Sequence, residues 1–443
     1  MTARPTRLAA AVVVGLWAGP AAAMTLGEAL ATAYATNPQL ASARAAARGT
    51  GELVPEALAA GRPNVAAGAG VGEGSAGSVR PVGTLQATVP LWTAGRVGAA
   101  AAQARDQAGA GRAQLGVTER DVLLRAATAY ADVLRTRGAL DAAREHERAL
   151  RADLGAAERR SADGAATPTD VAAARSQLAA ATARRVQAEG DLEVAREAFR
   201  AVVGAEPDGL SPPPPPARNL PATRERAVAA AADDPGIAVA DRNLAAARSG
   251  AEAALAQLRP SLAVQATATV GVQPAAPAGV RAPPVSPGYQ AGVLLTVPAY
   301  DGGLAAARVR AAREDAGARR FDLDAARRVA RRDAVTAWQT LATARASIAA
   351  DAARVGSARA SRDGIRRERD LGLRTELQVV QAEQEVVDAE LDLLGARRDA
   401  VVAGYQLLAA TGRLSARGLG LPVEPYDPAP RGVTAHRRGS ASD

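Results

Sequence analysis

Few side chains in this 443-residue sequence could carry out catalysis. It has no cysteine and no lysine, so all 54 basic residues are arginine, and its two histidines are His146 and His436. A thiolate nucleophile, a Schiff-base lysine, a phosphate-loop lysine and a cysteine zinc site are therefore excluded. His146 lies in a charged helical run and His436 in the tail, and we expect both to be solvated surface residues. We predict no catalytic site, no metal and no cofactor.

The composition favours long helices over a compact enzyme. Hydrophobic residues make up 48% of the chain but aromatic residues only 2%, so alanine supplies most of the apolar surface. Alanine suits helices that pack at close range. The net charge of +8 does not indicate nucleic-acid binding, because acidic residues alternate with arginine and few aromatics are available for base stacking.

The N-terminus has the pattern of an export signal. Arg4 and Arg7 precede an apolar run over 8–18, Gly19-Pro20 ends it, and 21–23 are three alanines. We predict a signal peptide over 1–23. Since no cysteine follows, the exported chain is not lipidated, and since no later run of about 18 apolar residues exists, we expect no transmembrane helix.

The remaining sequence is one unit written twice. Asn37-Pro38 recurs as Asp234-Pro235 at an offset of 197 residues, and the Thr-Val-Pro at 88–90 recurs at 296–298 at an offset of 208. We predict repeat 1 over 24–206, a proline-rich linker over 207–221, repeat 2 over 222–421 and a disordered tail over 422–443.

Each repeat contains residues of period two, which in repeat 1 follow a predicted helix. Leu85, Ala87 and Val89 alternate with polar residues, and Val293, Leu295 and Val297 form the same pattern, broken by Leu294. These patterns predict β-hairpins at about 63–91 and 260–299. Such strands suit a wall between lipid and water, at roughly ten residues per crossing. Trp92 and Tyr300 follow the hairpins, where an aromatic membrane-interface belt belongs. An ordinary half-buried hairpin with core aromatics remains the alternative.

A long helix and a returning helix follow each hairpin. We predict helices over about 94–160 and 304–370, tip turns at about 161–169 and 371–376, and return helices over about 170–203 and 377–411. A heptad of apolar residues marks a coiled-coil seam in each return helix, with Arg185 as the one polar exception. The seam positions are Val171, Ala174, Leu178, Ala181, Arg185, Ala188, Leu192, Ala195 and Phe199, then Val379, Ala382, Val386, Ala389, Leu393, Ala396, Ala400, Ala403 and Leu407.

Four strands per chain cannot close a barrel, and an open sheet edge in lipid leaves backbone groups without partners at several kcal/mol each. Three chains would supply twelve strands. The predicted fold class is thus an α+β membrane protein with an internal two-fold repeat: a trimeric, 12-stranded outer-membrane β-barrel continued by a long periplasmic α-helical barrel.

With these residues in view, the chain resembles the TolC family of outer-membrane efflux and type I secretion channels. The motifs that carry the resemblance are Thr25-Leu26 with Glu28-Ala29-Leu30, Asn37-Pro38, Val89-Pro90-Leu91-Trp92 with Gly95-Arg96, Gly164 through Thr167 to Asp170-Val171, and Gly372-Leu373-Arg374-Thr375. The resemblance implies a homotrimer in the outer membrane of a Gram-negative bacterium, spanning into the periplasm. It also implies docking of a periplasmic adaptor (membrane fusion) protein, which is fed by an inner-membrane ABC or proton-driven transporter.

The resemblance also assigns roles at the tip. Asp170 and Arg374 match two positions of the charged network that closes the pore, and we expect them to form a salt bridge that ties the inner helix pair to a neighbour; two solvated charges are the alternative. Gln378 and Gln381 stand where some members carry acidic residues, so we expect weaker cation selectivity. Gly164, Thr167, Gly372 and Thr375 match turns that adaptors contact, although glycine could serve there only to allow a positive φ.

The sequence therefore predicts a passive exit duct for efflux or type I secretion, and not an enzyme. One alternative is a periplasmic coiled-coil scaffold or tether without a pore, which would leave the duplicated strands unexplained. The other is a hydrolase with paired carboxylates, which is disfavoured because the acidic residues are interleaved with arginine on helices.

Overall fold

The computed structural model describes residues 23–74, 78–164, 166–213, 220–272 and 285–427. The predicted signal peptide up to residue 22, the core of the proline-rich linker at 214–219 and the tail from residue 428 lie outside the described residues. So do the loops of both hairpins.

The described chain is mostly helical, with one small sheet, and the same order of elements occurs twice. The first half contains α1 (Leu26–Thr36), α2 (Pro38–Ala59), β1 (Asn64–Gly74), β2 (Ser78–Trp92), α3 (Arg96–Ala162) and α4 (Pro168–Val203). The second half contains α5 (Arg224–Ala230) with a 3-10 turn (Ala231–Asp233), α6 (Pro235–Ala256), β3 (Ser261–Val272), β4 (Val285–Thr296), α7 (Leu304–Asp370), α8 (Glu376–Ala410) and α9 (Ala416–Leu419). None of the described helices has a stretch apolar enough, over the required length, to cross a membrane.

The duplicated Asn-Pro and Asp-Pro motifs start equivalent helices. The Asn37 side chain accepts a hydrogen bond from the Gln39 N–H at 2.9 Å and so caps α2. The Asp234 side chain accepts one from the Gly236 N–H at 2.7 Å and caps α6. A proline follows each cap, at a position where its missing N–H has no helical partner to lose. These pairs are therefore helix-start signals.

The four strands form one antiparallel sheet in the order β1-β2-β3-β4. At its centre, Ala266 of β3 lies opposite Ala87 of β2 and Ala291 of β4. Since the strand order follows the chain order, each strand pairs with its neighbour in sequence, and β1 and β4 are left as the two outer edges. The N–H and C=O groups on those outer sides have no sheet partner within this sheet.

The described residues fall into two compact units. The first comprises those within Met1–Thr32, Ala126–Pro215 and Asp351–Arg398. Its core is made of the seam residues, for example Val386 and Ala389 packed with Val355 and Ala358 of α7. All the seam positions predicted from the heptads of α4 and α8 are buried or partly buried, which confirms the stripe as a packing face.

Within the first unit, Tyr130 of α3 joins the start of the described chain to the start of the linker. Its ring is fully buried and lies 6.3 Å from that of Phe199 in α4. Its hydroxyl oxygen is 2.8 Å from the Met24 carbonyl oxygen and 2.6 Å from the Ser211 carbonyl oxygen. The Ser211 N–H in turn donates to the Met24 carbonyl at 3.1 Å. A single phenol thus holds two irregular segments against the bundle.

The second unit comprises the described residues within Ala33–Arg125, Pro216–Ala350 and Asp399–Asp443. Two of its clusters bury Leu341 of α7 and Leu407 of α8 against Ala227 of α5, and Ala334 against the 3-10 turn. Small alanine side chains let these helices approach closely, as the composition predicts.

The segment 422–427 differs from the disordered tail that the sequence predicts from residue 422. The Tyr426 N–H donates to the Tyr34 hydroxyl at 2.8 Å, and Arg48 donates to the Tyr426 hydroxyl at 3.1 Å. The Arg44 guanidinium lies 4.5 Å from the Tyr34 ring centre and 5.4 Å from that of Tyr426. Two aromatic faces on one cation stabilise the segment in spite of its proline-rich sequence.

We expect Tyr130→Phe to destabilise the protein, by about 0.5–1.5 kcal/mol, because it removes the one hydroxyl donor shared by the part-buried Met24 and Ser211 carbonyl groups. The Phe ring keeps the contact with Phe199, so the loss comes from the hydroxyl group alone. Thermal unfolding followed by circular dichroism measures it. Tyr289→Phe is the matched control, since Tyr289 is 93% exposed; equal melting temperatures for the two variants would contradict the role given to the Tyr130 hydroxyl.

Candidate functional site

The sheet has one apolar face. Its register places side chains of the same parity opposite one another on neighbouring strands, so they share a face. Much of that face is exposed in the chain: Val65 is 65% exposed and Val293 66%. The face consists of Val65, Ala67, Ala69, Val71, Leu85, Ala87, Val89, Leu262, Val264, Ala266, Ala268, Tyr289, Ala291, Val293 and Leu295.

The middle of the other face carries uncharged polar side chains. Thr267 of β3 lies opposite Gln86 of β2 and Gln290 of β4, and Thr84 lies opposite Thr269. Leu294 interrupts the pattern, as the sequence predicts. An apolar face and a hydrogen-bonding face on one thin sheet match the two surfaces of a wall that has hydrocarbon on one side and water on the other.

The two predicted belt aromatics lie at the same end of the sheet. Trp92 is the last residue of β2 and is 53% exposed, and Tyr300, four residues beyond β4, is 90% exposed. Both strands are antiparallel to β3, so their final residues reach the same end, where the chain continues into α3 and α7. Neither aromatic is a core residue of the described chain.

The first tip turn is closed by a capping box. The Thr167 N–H and hydroxyl donate to Asp170 Oδ2 at 2.9 and 2.8 Å, and the Asp170 N–H donates to Thr167 Oγ1 at 3.2 Å. The backbone and side-chain hydrogen bonds from Thr167 hold the pKa of the Asp170 carboxyl below its usual range. Gly164 adopts a φ of +73°, which favours glycine. These contacts start α4.

The second tip turn has the same design with an amide in place of the acid. The Thr375 N–H donates to Gln378 Oε1 at 3.0 Å, and the Gln378 N–H donates to Thr375 Oγ1 at 3.4 Å. Gly372 has a φ of +78°. Gln378 therefore completes the capping box of α8 as Asp170 completes that of α4, but with a side chain that does not titrate.

The structure does not bring Asp170 and Arg374 together within one chain. Asp170 is engaged by Thr167, and Arg374 Nε donates instead to Glu368 Oε2 at 2.7 Å. Arg374, Gln378 and Gln381 do line one groove, of about 460 Å³, between α7 and α8. Any Asp170–Arg374 bond would have to join two different chains.

An ion-pair bridge that the sequence did not reveal joins the helix ends near both turns. Glu376, in the first turn of α8, accepts hydrogen bonds from Arg160 of α3 and Arg369 of α7, each with a 3.2 Å contact. Arg160 lies 216 residues before Glu376, and Arg369 lies on the other side of the second tip turn. No local sequence pattern could therefore identify these contacts. Three helices meet at one carboxylate.

The expectation of a solvated His146 is wrong. The residue is only 7% exposed, and burial, its largest influence, lowers the pKa of its imidazole. The cause of the error is that α3 is covered on more than one side: His146 lines a groove together with Arg184 of α4 and Asp388 of α8. The charged residues next to His146 in the sequence thus gave no sign that its position is buried.

Comparison with known proteins gives a consistent result. The family described as "Outer membrane efflux protein" matches residues 29–205 and 227–413. The chain is 34% identical over 411 residues to "Outer membrane efflux protein BepC" from Brucella suis biovar 1 (strain 1330), covering 91% of this chain and 89% of that protein.

Solved structures share the fold. The outer membrane protein VceC from Vibrio cholerae matches with a TM-score of 0.71 at 18% identity, over 87% of this chain and 96% of that one. The Campylobacter jejuni CmeC outer membrane channel matches with a TM-score of 0.73 at 13% identity, over 87% and 85%.

The two capping boxes predict different responses to acid. The lowered pKa of Asp170 means that its contribution to stability is present above the usual aspartate pKa of about 3.9 and is lost as pH falls through the lowered value. Hydrogen exchange at 167–171, corrected for intrinsic rates, should accelerate in that acidic range. In the second turn Glu376 is the one titrating residue of 375–379, so exchange there should not accelerate in Glu376→Gln. Asp170→Asn should remove the response of the first turn; equal acid sensitivity of the two turns in Glu376→Gln would contradict the assignment.

Proposed function

Because the chain belongs to the outer membrane efflux protein family and is therefore an exit duct that spans the outer membrane into the periplasm, we propose that three copies build this duct. The sheet supports a stoichiometry of three copies. Its four strands leave β1 and β4 as edges, and an edge in hydrocarbon leaves backbone groups without hydrogen-bond partners. Pairing β4 of one copy with β1 of the next removes every edge, and three copies give a closed barrel of twelve strands.

The orientation of the sheet in this barrel follows from its two faces. The apolar face meets lipid, and the threonine and glutamine face lines the water-filled interior. Trp92 and Tyr300 then lie at the membrane interface, where their amphipathic rings are stabilised. The connections to α3 and α7 begin at that same end, so the helices leave the membrane on the periplasmic side.

The long helices continue the duct. Both α3 and α7 contain 67 residues. A regular helix of that length measures about 100 Å, roughly three times the thickness of the hydrocarbon core. With their returning partners α4 and α8 they supply four helix legs per copy and twelve per trimer, enough for a periplasmic helical barrel that continues the duct. The repeated order of elements supports an internal two-fold repeat.

The tip is the place for gating and docking. We propose Asp170, Arg374, Gln378 and Gln381 as residues of the periplasmic gate, with Asp170 and Arg374 pairing between copies. The turns containing Gly164, Thr167, Gly372 and Thr375 would contact a periplasmic adaptor, which links the duct to an inner-membrane ABC or proton-driven transporter. Transport through the duct is passive, and partners supply the energy. A scaffold without a pore is not favoured, since it gives the two-faced sheet no role.

A pair of neighbouring substitutions tests the orientation of the sheet. Ala266 and Thr267 lie in the middle of β3 on opposite faces. Ala266→Arg should place a charge in lipid at a cost of about 2–4 kcal/mol per subunit, whereas Thr267→Arg should be tolerated in the water-filled interior. Outer-membrane fractionation and heat-modifiable migration on gels should show loss of assembly for Ala266→Arg alone.

The Thr267→Arg channel should also conduct and become more anion-selective in planar bilayers, because the added charge lines the pore. If Thr267→Arg abolished assembly while Ala266→Arg did not, the faces would be reversed. If neither the unchanged protein nor either variant conducted ions, the proposal of a duct would fail.

The glutamines at the tip predict the ion selectivity. An amide ring lacks the fixed negative charge that concentrates cations, so reversal potentials should show weak cation preference in the unchanged channel. Gln381→Glu adds three carboxylates to the trimer and should raise the preference clearly. Gln257→Glu, on an exposed residue at the end of α6, adds the same charge away from the tip as a control. Equal effects of both variants would exclude a special role for Gln381.

A further inference from the structure

The sequence repeats an arginine–proline pair at the junction between helix and strand. Arg62-Pro63 follows α2 and Arg259-Pro260 follows α6, at an offset of 197 residues, and each pair leads directly into a strand, β1 or β3. Proline explains why the helix ends before it, because the residue preceding a proline avoids the helical conformation. It does not explain why that preceding residue is arginine both times.

Arg259 reaches the turn that joins β2 to α3. Its Nη1 donates a hydrogen bond to the Ala94 carbonyl oxygen at 3.2 Å. Ala94 has a φ of +50° and is the one residue other than glycine in the described part of the chain with a positive φ. This conformation is unfavourable for alanine, so the hydrogen bond helps to hold the turn. Because the acceptor is a neutral carbonyl, the bond does not balance the charge of the guanidinium.

Two more arginines lie at the same turn. Gly61, the residue before Arg62, packs so closely on α3 that a methyl group there would lie 3.2 Å from Val97 Cγ1. Arg96 is the first residue of α3 and directly precedes Val97. Arg62 and Arg259 are exposed, and Arg96 is partly exposed. Three arginines from three segments therefore gather at one turn, and we call Arg62, Arg96 and Arg259 the arginine cluster.

Acidic residues are scarce in the segments that form the arginine cluster. From 57 to 105 the sequence has one acidic residue, Glu73, which lies near the opposite end of β1. From 253 to 300 it has none. Asp301 comes next, and its two carboxylate oxygens both accept backbone N–H groups at the start of α7. The local charge is therefore positive, which favours an anionic partner from outside the chain.

The arginine cluster lies at the end of the sheet that carries the belt aromatics. Trp92 of β2 is opposite Leu262 of β3 at this end. Arg96 follows Trp92 by four residues, and Arg259 precedes Leu262 by three. In the proposed barrel this end faces the periplasm, so the cluster lies just outside the hydrocarbon, where the phospholipid headgroups begin. Long arginine side chains reach along apolar surface to that level.

We propose that the arginine cluster binds the headgroup of an anionic phospholipid in the periplasmic leaflet of the membrane. The planar guanidinium fork matches a phosphate and can bind it through two parallel hydrogen bonds. Trp92 beside the cluster suits the same interface, since its ring is apolar and its N–H is polar. The inference rests on the proposed barrel, in which three copies place nine such arginines around the periplasmic rim and fix the depth of the barrel in the membrane.

Native mass spectrometry of the assembled protein in mild detergent measures lipid binding directly. Phosphatidylglycerol is the anionic probe, and phosphatidylcholine, which has a phosphate but no net charge, is the comparison. The unchanged protein should retain phosphatidylglycerol preferentially. Arg96→Gln should weaken its binding about fivefold, the contribution of one basic residue at an anionic surface. Arg137→Gln, on an exposed residue about 60 Å further along α3, is the matched control and should leave binding unchanged.

Arg259→Gln provides a variant from a second segment and should weaken binding by at least as much. It also removes the hydrogen bond to Ala94, so heat-modifiable migration must first show that the variant assembles; if it does not, Arg96→Gln decides alone. Equal affinities of Arg96→Gln and Arg137→Gln for phosphatidylglycerol would overturn the proposal, and so would equal retention of the two lipids by the unchanged protein. Inorganic phosphate at the same concentration should not displace the lipid; displacement would indicate a site for the free ion instead.

Ion conductance of the same preparations in planar bilayers separates this proposal from the proposed duct. A channel that conducts but shows no preference for phosphatidylglycerol would retain the duct and reject the lipid site. A protein that keeps the preference, and loses it in Arg96→Gln, but does not conduct would retain the lipid site and reject the duct.

Discussion

The need to satisfy every backbone hydrogen bond in the membrane governs the rest of this structure. A chain with four strands cannot meet that need, because β1 and β4 each present an unpaired edge. Sharing the strands among copies meets it without enlarging the chain. In the proposed trimer the duct is a property of the assembly, and the single chain carries one third of its wall. The open edges of the sheet at β1 and β4 are the sign of this incompleteness.

The same constraint explains why the helices are rich in alanine. The wall of the proposed duct has no thick core, so its helices must hold together through narrow seams, and small side chains permit close approach along the whole length. Larger side chains are reserved for places where an irregular segment must be held. Tyr130 secures Met24 and the linker at Ser211, and Tyr34 with Arg44 secures the segment that contains Tyr426.

Local patterns in the sequence predicted much of the fold. The period-two residues predicted both faces of the sheet down to the exception at Leu294, and the heptads identified buried residues such as Phe199 and Val379. The equivalent helix α6 in the second half went unpredicted, as did the short α9.

Contacts between distant parts of the chain could not be foreseen: His146 is buried by helices remote in sequence, and Glu376 contacts Arg160 across 216 residues. Which charged residues pair depends on which helices pack together, and the spacing of residues along one helix does not show which helices will do so. For the same reason Asp170 and Arg374 were paired by resemblance, whereas each found a nearer partner in its own turn.

The stoichiometry of the assembly tests the central claim most directly. Native mass spectrometry of the exported protein, released from outer membranes in mild detergent, measures it without any substitution. The account predicts a species of three chains that separates only together with loss of β-structure. A water-soluble single chain that retains its sheet would contradict it, because such a chain would have met its hydrogen-bonding needs alone.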